Sequence, residues 1–365
     1  MRVGRAGLFA AALVCATLAS SRASRATDEV TPLASVPVIH RVALGRAEPA
    51  APPVLSEVEY ASRWRGAGFS GVYLPPKDAY VADDGGVDLA FHFNAALVAE
   101  SDWRRSATNA VVVSVSYGIG SGTYSEPFSS PGLFGHMVRS VIGELQKEQP
   151  KGSGKKLYAR RITLAAWSAG FGAVGKILAI PDYYEKVDSV VLLDGIHAPY
   201  VGPGPHQAAE GAERVDLKMI DNLVKFARDA AAGKKTMVIT HTSIVPPDYA
   251  SASETTTALL GAVGLARTAV TREADERGMT LTSLVDQKGL HVRGFGGNSK
   301  GAHMKHLHLV GWAMREFVAP ERARALTALR AGGPAAGAGA APPPRGPSPP
   351  QPRSQPSGSV SEARD

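Results

Sequence analysis

Five short apolar segments, rich in β-branched residues, alternate along the chain with segments of helical periodicity, and this alternation limits the possible folds more than any other feature. The five segments lack alternating polar residues, which is typical of strands buried on both faces. The predicted strands are Val87 to Phe93, Ala110 to Tyr117, Arg161 to Trp167, Val187 to Leu193 and Thr236 to Thr240. The predicted helices are Gly132 to Gln149, Ala169 to Ile180, Leu217 to Ala232, Ser253 to Arg277 and Leu309 to Arg330, and Thr280 to Phe295 indicates a hairpin that turns at Lys288-Gly289. The alternation predicts an α/β fold with a mostly parallel central sheet and helices on both faces.

The two ends of the chain differ from this central region. Residues 1–26 combine arginines with a short apolar stretch and then small residues, which predicts a signal peptide and an exported protein, secreted or periplasmic. Cys15 lies in this segment, but the valine before it disfavours attachment of a lipid. We expect residues 27–53 to be a flexible lead-in to a domain over 54–331. The Pro-, Ala- and Gly-rich residues 332–365 have too few large apolar side chains to fold, so we expect a disordered tail.

Composition and charge exclude some classes of protein. The chain is 44% hydrophobic and 20% charged, which is typical of a globular protein with a sizeable core. Its net charge is +7, and four of the arginines lie within residues 1–26, so the charge gives no reason to expect a nucleic-acid partner. After that segment no apolar stretch is long enough to span a bilayer, and we expect no stable membrane span in the mature protein. The oligomeric state is left open.

Each predicted strand ends at or beside a polar side chain. In an open parallel sheet, ligands bind beyond the carboxyl ends of the strands. The residues at these ends are Asn94, Tyr117, Ser168, Asp194 and His241. A sheet with a purely structural role does not need polar residues at five strand ends, so we expect a functional site along this edge.

Residues 166–170 (Ala-Trp-Ser-Ala-Gly) lie between a predicted strand and a predicted helix. This segment resembles the G-x-S-x-G nucleophile elbow of the α/β-hydrolase superfamily, in which small residues flank a serine on a sharp turn. The resemblance covers roughly residues 87–318 and implies that Ser168 is the nucleophile of a serine hydrolase. The spacing from Gly170 to Lys176 also fits a phosphate-binding loop, but Ile177 stands where that loop needs a serine or threonine.

The resemblance implies an acid that orients the catalytic histidine, in the chain order serine, acid, histidine. Asp194 ends the next strand after Ser168 and is the predicted acid. Most members of the superfamily carry the acid one strand later, where this chain has no carboxylate. Asp248 and Asp286 remain alternatives.

Three histidines near the end of the domain are candidates for the catalytic base. His303 follows a glycine-rich loop and is the predicted base, while His306 and His308 are expected at the start of the next helix. His306 remains an alternative to His303. The spacing of His303 and His306 fits no zinc signature, and no carboxylate or cysteine stands nearby, so we expect neither a metal nor another cofactor.

The resemblance also implies two backbone N–H groups that bind the negatively charged oxygen of the reaction intermediate, the oxyanion. Ala169 follows the nucleophile and provides the first. The segment His92-Phe93-Asn94-Ala95 resembles the His-Gly turn of esterases and lipases, so the second comes from Asn94 or Ala95. A glycine is common in the family where Ala95 stands here.

The predicted substrate is a small-molecule or glycan-linked carboxylic ester, hydrolysed through an acyl-enzyme. Tyr117, Tyr124 and His241 are the candidate substrate contacts, because they lie at the strand ends or in the loop that follows. Two alternatives stay open. An amidase or peptidase would use the same residues, and a non-catalytic, exported binding protein would explain the alanines at 95 and 166.

Overall fold

The computed structural model describes residues 58–77, 80–202, 210–272 and 278–322. The predicted signal peptide (1–26), lead-in (27–53) and tail (332–365) lie outside the described residues, and so does Cys15.

Ten strands in this part of the chain form one mixed sheet, in the order β1-β2-β4-β3-β5-β6-β7-β10-β9-β8. The strands are β1 (Arg65–Gly66), β2 (Val72–Leu74), β3 (Gly86–Phe93), β4 (Val111–Val115), β5 (Tyr158–Trp167), β6 (Val187–Leu193), β7 (Thr236–His241), β8 (Thr268–Arg272), β9 (Leu281–Gln287) and β10 (Leu290–Phe295). The six central strands, from β4 to β10 in this order, are parallel. Antiparallel strands extend both edges of the sheet. The predicted mostly parallel α/β sheet is confirmed, with each of the five apolar segments in a strand.

Helices cover both faces of the sheet. They are α1 (Glu100–Arg104), α2 (Gly122–Phe128), α3 (Leu133–Glu148), α4 (Phe171–Leu178), α5 (Pro181–Lys186), α6 (Asp221–Ala231), α7 (Ala252–Ala262), α8 (Lys300–Leu307) and α9 (Val310–Ala313). Successive side chains of a strand point to opposite faces. Accordingly Phe91 and Phe93 belong to one apolar cluster with residues of α2, α3, α4, α6 and α7, while Ala90 belongs to a second cluster with residues of α1, α8 and α9. None of the helices in the described part of the chain is long and apolar enough to cross a membrane.

The largest departure from the predicted elements follows α7. The helix predicted for Ser253 to Arg277 ends at Ala262, where the Leu265 N–H group bonds back to the Leu260 carbonyl oxygen. The chain then forms β8, which pairs with β9 at the edge of the sheet. The spacing of apolar residues in this region also fits a short amphipathic strand. The strand forms here because β9 offers an edge with which it can pair. The hairpin predicted at 280–295 is confirmed as β9 and β10, joined at Lys288-Gly289.

The start of α7 gives a direct test of the fold. The Ser251 side chain accepts a hydrogen bond from the Glu254 N–H group, and the Glu254 carboxylate accepts one from the Ser251 N–H group. We expect Ser251→Ala to lower the free energy of unfolding by about 1–2 kcal/mol, because it leaves helical N–H groups without a partner. The control Thr257→Ala, on the exposed side of the same helix, should change it by less than about 0.5 kcal/mol. Urea unfolding followed by circular dichroism measures both, and equal effects would contradict this capping arrangement.

Candidate active site

Ser168 lies on a strained turn directly after the central strand β5. Its φ angle is 52°, a left-handed conformation that is uncommon for residues other than glycine. Residues Ser168–Gly170 form a single 3₁₀ turn, and α4 follows at once. Such a conformation costs of order 1–3 kcal/mol and persists only where neighbouring structure enforces it.

Two close backbone contacts enforce this turn. A Cβ atom at position 170 would lie 2.8 Å from the carbonyl carbon of Phe93 and still closer to its oxygen, so only glycine fits between the turn and β3. A Cβ atom at position 195 would lie 2.6 Å from the Ser168 nitrogen, so only glycine fits between the turn and the end of β6. The small residue at 170 is thus a steric requirement, as its place in the sequence pattern predicts.

Asp194 and His303 meet beside this turn, although 109 positions separate them in the chain. The His303 Nδ1 atom lies 2.6 Å from Asp194 Oδ2, and the other carboxylate oxygen accepts bonds from the Thr242 N–H group at 2.8 Å and its hydroxyl at 3.1 Å. Burial by itself raises the pKa of Asp194, but the bonds from His303 and Thr242 and the nearby His306 outweigh it and lower that pKa to about 2. Asp194 is therefore ionised at neutral pH.

The His303 ring lies beside the residue that precedes Ser168. Its centroid is 4.7 Å from that of the Trp167 ring, and the indole N–H group of Trp167 donates to the His303 carbonyl oxygen at 3.1 Å. His303 occupies the first turn of α8, capped by the Ser299 side chain. The sequence predicts that His303 follows a glycine-rich loop and that the helix starts near His306, but the helix begins three residues before His303, at Lys300. The ring is 23% exposed, whereas the Asp194 side chain is 4% exposed.

The alternative acids and bases lie in other surroundings. His306 is fully buried, with Nδ1 2.8 Å from the Thr240 hydroxyl oxygen, and His308 Nδ1 lies 2.7 Å from an oxygen of Asp102. Asp248 is exposed on the loop after β7. Asp286 lies 2.8 Å from His291 at the opposite end of the neighbouring strands. Among these residues, Asp194 and His303 are the pair joined beside Ser168.

The turn after β3 differs in detail from the predicted oxyanion site. Asn94 and Ala95 both have positive φ angles, 73° and 62°. The Asn94 N–H group donates to the Val115 carbonyl oxygen at 2.9 Å, and the Ala95 N–H group donates to the Ser116 hydroxyl oxygen at 3.1 Å. Both predicted backbone donors are thus already bonded within the protein. The Asn94 side-chain amide instead reaches the Ser168 turn, where it donates to the Trp167 carbonyl oxygen at 3.2 Å.

Ser168 lies in the wall of a cavity of about 690 Å³, which we call the Ser168 cavity. Ala169 and Asn94 line it too, beside the serine. The other lining residues come from the loops after β4, β6 and β7, from the end of β5 and from the start of α4: Ile119, Gly120, Ser121, Trp167, Phe171, His197, Ala198, Pro199 and Tyr249.

The three predicted substrate contacts do not line this cavity. Tyr124 is fully buried, and its hydroxyl group donates to the Gly118 carbonyl oxygen at 3.2 Å. Tyr117 packs over Tyr124 and Phe128 with ring centroids 6.0 and 6.1 Å apart. His241 is buried with Nδ1 3.0 Å from the Thr242 carbonyl oxygen. Tyr124 and His241 are buried in the interior and Tyr117 is partly buried against the same apolar cluster, and sequence position alone does not give these directions.

His197 is the lining residue that sequence reasoning missed. It lies three residues after Asp194, and its Nδ1 atom lies 3.1 Å from the Ala250 carbonyl oxygen. Burial lowers the pKa of its imidazole, so the ring is neutral at neutral pH. The only available signal was a histidine shortly after a strand end, which by itself favours no particular role. Thr242 was missed for the same reason.

The sequence matches no model of a known protein family, and no similar sequence is found among curated proteins. A function for this chain therefore has to be inferred from its own side chains.

The lowered pKa of Asp194 predicts how stability depends on pH. Since this pKa is about 2 in the folded protein and 3.8 for an ordinary aspartate, the ionised carboxylate stabilises the fold above about pH 4 and loses that effect as the pH falls. We expect the advantage of wild type over Asp194→Asn in unfolding free energy to shrink by about 1 kcal/mol from about pH 5 to about pH 3. Urea unfolding at these pH values measures it. An advantage that stays constant would contradict the ionised, hydrogen-bonded carboxylate.

Proposed function

We propose that this protein is a serine hydrolase of the α/β-hydrolase type that cleaves carboxylic esters. The observation that carries the proposal is the 2.6 Å contact between His303 and Asp194 beside the strained turn of Ser168. Ser168 itself lines an open cavity. A nucleophile on a strand-to-helix turn, a histidine and a buried carboxylate, in the chain order Ser168, Asp194, His303, is the constellation that such hydrolases use. Export remains part of the proposal.

In this proposal His303 activates Ser168. The Asp194 carboxylate accepts a hydrogen bond from the Nδ1–H group of His303, which leaves the lone pair of the ring on Nε2. That nitrogen takes the Ser168 proton as the hydroxyl oxygen attacks the ester carbonyl, and it then gives the proton to the departing alkoxide. Water hydrolyses the acyl-enzyme by the same route. The low pKa of Asp194 keeps a negative charge beside the imidazolium that forms in each step, which lowers the energy of that ion pair.

The oxyanion is bound by the Ala169 N–H group and by the side-chain amide of Asn94. Ala169 follows the nucleophile, which is the position whose N–H group binds the oxyanion in such hydrolases. Asn94 replaces a backbone donor, because the backbone N–H groups of residues 94 and 95 are bonded within the protein. The amide nitrogen has two hydrogens, and only one is used in the bond to Trp167.

The lining of the cavity supports an ester with an apolar part. Ile119, Phe171 and Tyr249 give it apolar walls, and Ile119 is 94% exposed at its rim. An amide substrate would form the same acyl-enzyme, so a comparison of matched ester and amide substrates separates the two activities. A non-catalytic binding protein would have the same fold but no activated hydroxyl.

The proposal predicts covalent labelling of Ser168. A fluorophosphonate reacts with an activated serine, so we expect mass spectrometry to find the label on Ser168 and to find none in Ser168→Ala. Labelling should fall at least about 100-fold in His303→Ala, because the serine then lacks its base. Ser121→Ala, in the wall of the same cavity, is the matched control and should label like wild type. A folded wild-type protein that stays unlabelled would favour the binding-protein alternative.

A second prediction concerns the oxyanion. We expect Asn94→Gly to reduce kcat for an activated ester by about 100-fold with little change in KM, because the lost amide donor acts mainly in the transition state. Glycine is chosen because it tolerates the positive φ angle at this position. Steady-state kinetics on p-nitrophenyl butanoate measures the effect. Unchanged kcat would rule out Asn94 as an oxyanion donor.

A further inference from the structure

His197 is the histidine that lines the Ser168 cavity in the described part of the chain. It sits between two aromatic rings of the same cavity, in edge-to-face contact with Phe171 at 5.8 Å and with Tyr249 at 5.1 Å between centroids. These contacts and the bond to Ala250 leave the ring little freedom to turn. The ring is therefore a fixed polar feature in a wall that is otherwise largely apolar.

The bond to Ala250 determines the chemistry that His197 offers. A carbonyl oxygen can only accept, so Nδ1 must carry the proton, and a neutral ring then has its lone pair on Nε2. Burial lowers the pKa of the ring and so favours this neutral form. The Nε2 atoms of His92 and His241 are enclosed in the interior without a partner, whereas His197 is only partly buried and lines the Ser168 cavity. His197 thus presents a hydrogen-bond acceptor to the cavity.

An acceptor in an apolar wall selects for a donor. Two donors near Ser168, the Ala169 N–H group and the Asn94 amide, are used for the oxyanion in the proposed mechanism. A substrate whose hydroxyl group reaches His197 gains a hydrogen bond. A substrate with an ether or a methyl group at that point removes water from Nε2 but donates no hydrogen bond to it, so its binding is weaker.

We propose that His197 determines specificity, by accepting a hydrogen bond from a hydroxyl group of the ester, and that the substrates are hydroxyl-bearing esters. This inference rests on the proposed esterase function. The hydroxyl group can lie on the acyl part or on the alcohol part, and the chemistry of recognition is the same for both. His197 takes no part in proton transfer.

Matched substrates test the inference. The first pair is p-nitrophenyl 3-hydroxybutanoate and p-nitrophenyl 3-methoxybutanoate, and the second is the butanoate monoester of ethylene glycol and that of its monomethyl ether. We expect wild type to prefer the hydroxyl member of one pair by about 5- to 10-fold in kcat/KM, the effect of one neutral hydrogen bond. The pair that shows the preference identifies the part of the ester that reaches His197.

Two variants assign the preference to His197. His197→Asn places an amide where Nδ1 stands, so it keeps a donor for the Ala250 carbonyl oxygen but has no atom at Nε2. His197→Phe keeps a ring between Phe171 and Tyr249. In both variants the hydroxyl-to-methoxy ratio should fall to about 1, and because the ratio is taken within each variant, a general change in activity cancels.

The outcomes separate the two proposals. Ester hydrolysis by wild type with no preference in either pair, or a preference that survives in both variants, would overturn the role of His197 and leave the esterase function standing. Absence of ester hydrolysis and of Ser168 labelling in folded wild type would overturn the esterase function itself, and the specificity proposal with it.

Discussion

The backbone of Ser168 lies directly against that of Gly195, and the geometry of the whole carboxyl edge of the sheet depends on this contact. Because a Cβ atom at position 195 would lie 2.6 Å from the Ser168 nitrogen, the chain after β6 can approach the turn this closely only if residue 195 is glycine. Gly195 directly follows Asp194, so the contact also sets how far the carboxylate stands from the serine. On the other side, Gly170 brings the turn against Phe93 and thereby places Asn94 near Ser168. The lack of a side chain at these two glycines thus allows the ends of three strands to lie close together.

This arrangement has an energetic cost that the rest of the fold offsets. Asn94, Ser168 and Asp194 all have positive φ angles, and each such residue costs of order 1–3 kcal/mol. Asp194 is also a buried carboxylate, which is unfavourable unless its charge is compensated. The bonds from His303 and Thr242 compensate it, and the two apolar clusters on the faces of the sheet supply the stability. Local conflict of this kind, in an otherwise regular sheet, is expected at functional sites.

Features of the fold and site that depend on short-range patterns could be predicted from the sequence. The buried strands follow from uninterrupted β-branched runs, and the positions of Ser168 and Asp194 at strand ends follow from the same runs. His303 was selected from the chain order that the resemblance to hydrolases implies, and its contact with Asp194 spans 109 positions. Features that depend on the direction of a side chain were not predictable. Tyr124 and His241 turn into the interior, whereas His197 and the Asn94 amide turn toward the cavity, and tertiary packing decides each case. The strand β8 was predicted as helix because its pairing with β9 is a long-range contact.

The most direct test of Ser168 as the nucleophile is to trap the acyl-enzyme. The protein is mixed with p-nitrophenyl acetate, quenched in acid within the first turnovers, digested and analysed by mass spectrometry. We predict a rapid release of p-nitrophenol equal to the amount of enzyme, with the acetyl group on Ser168. Turnover that persists in Ser168→Ala, with the acetyl group on another side chain, would contradict this role.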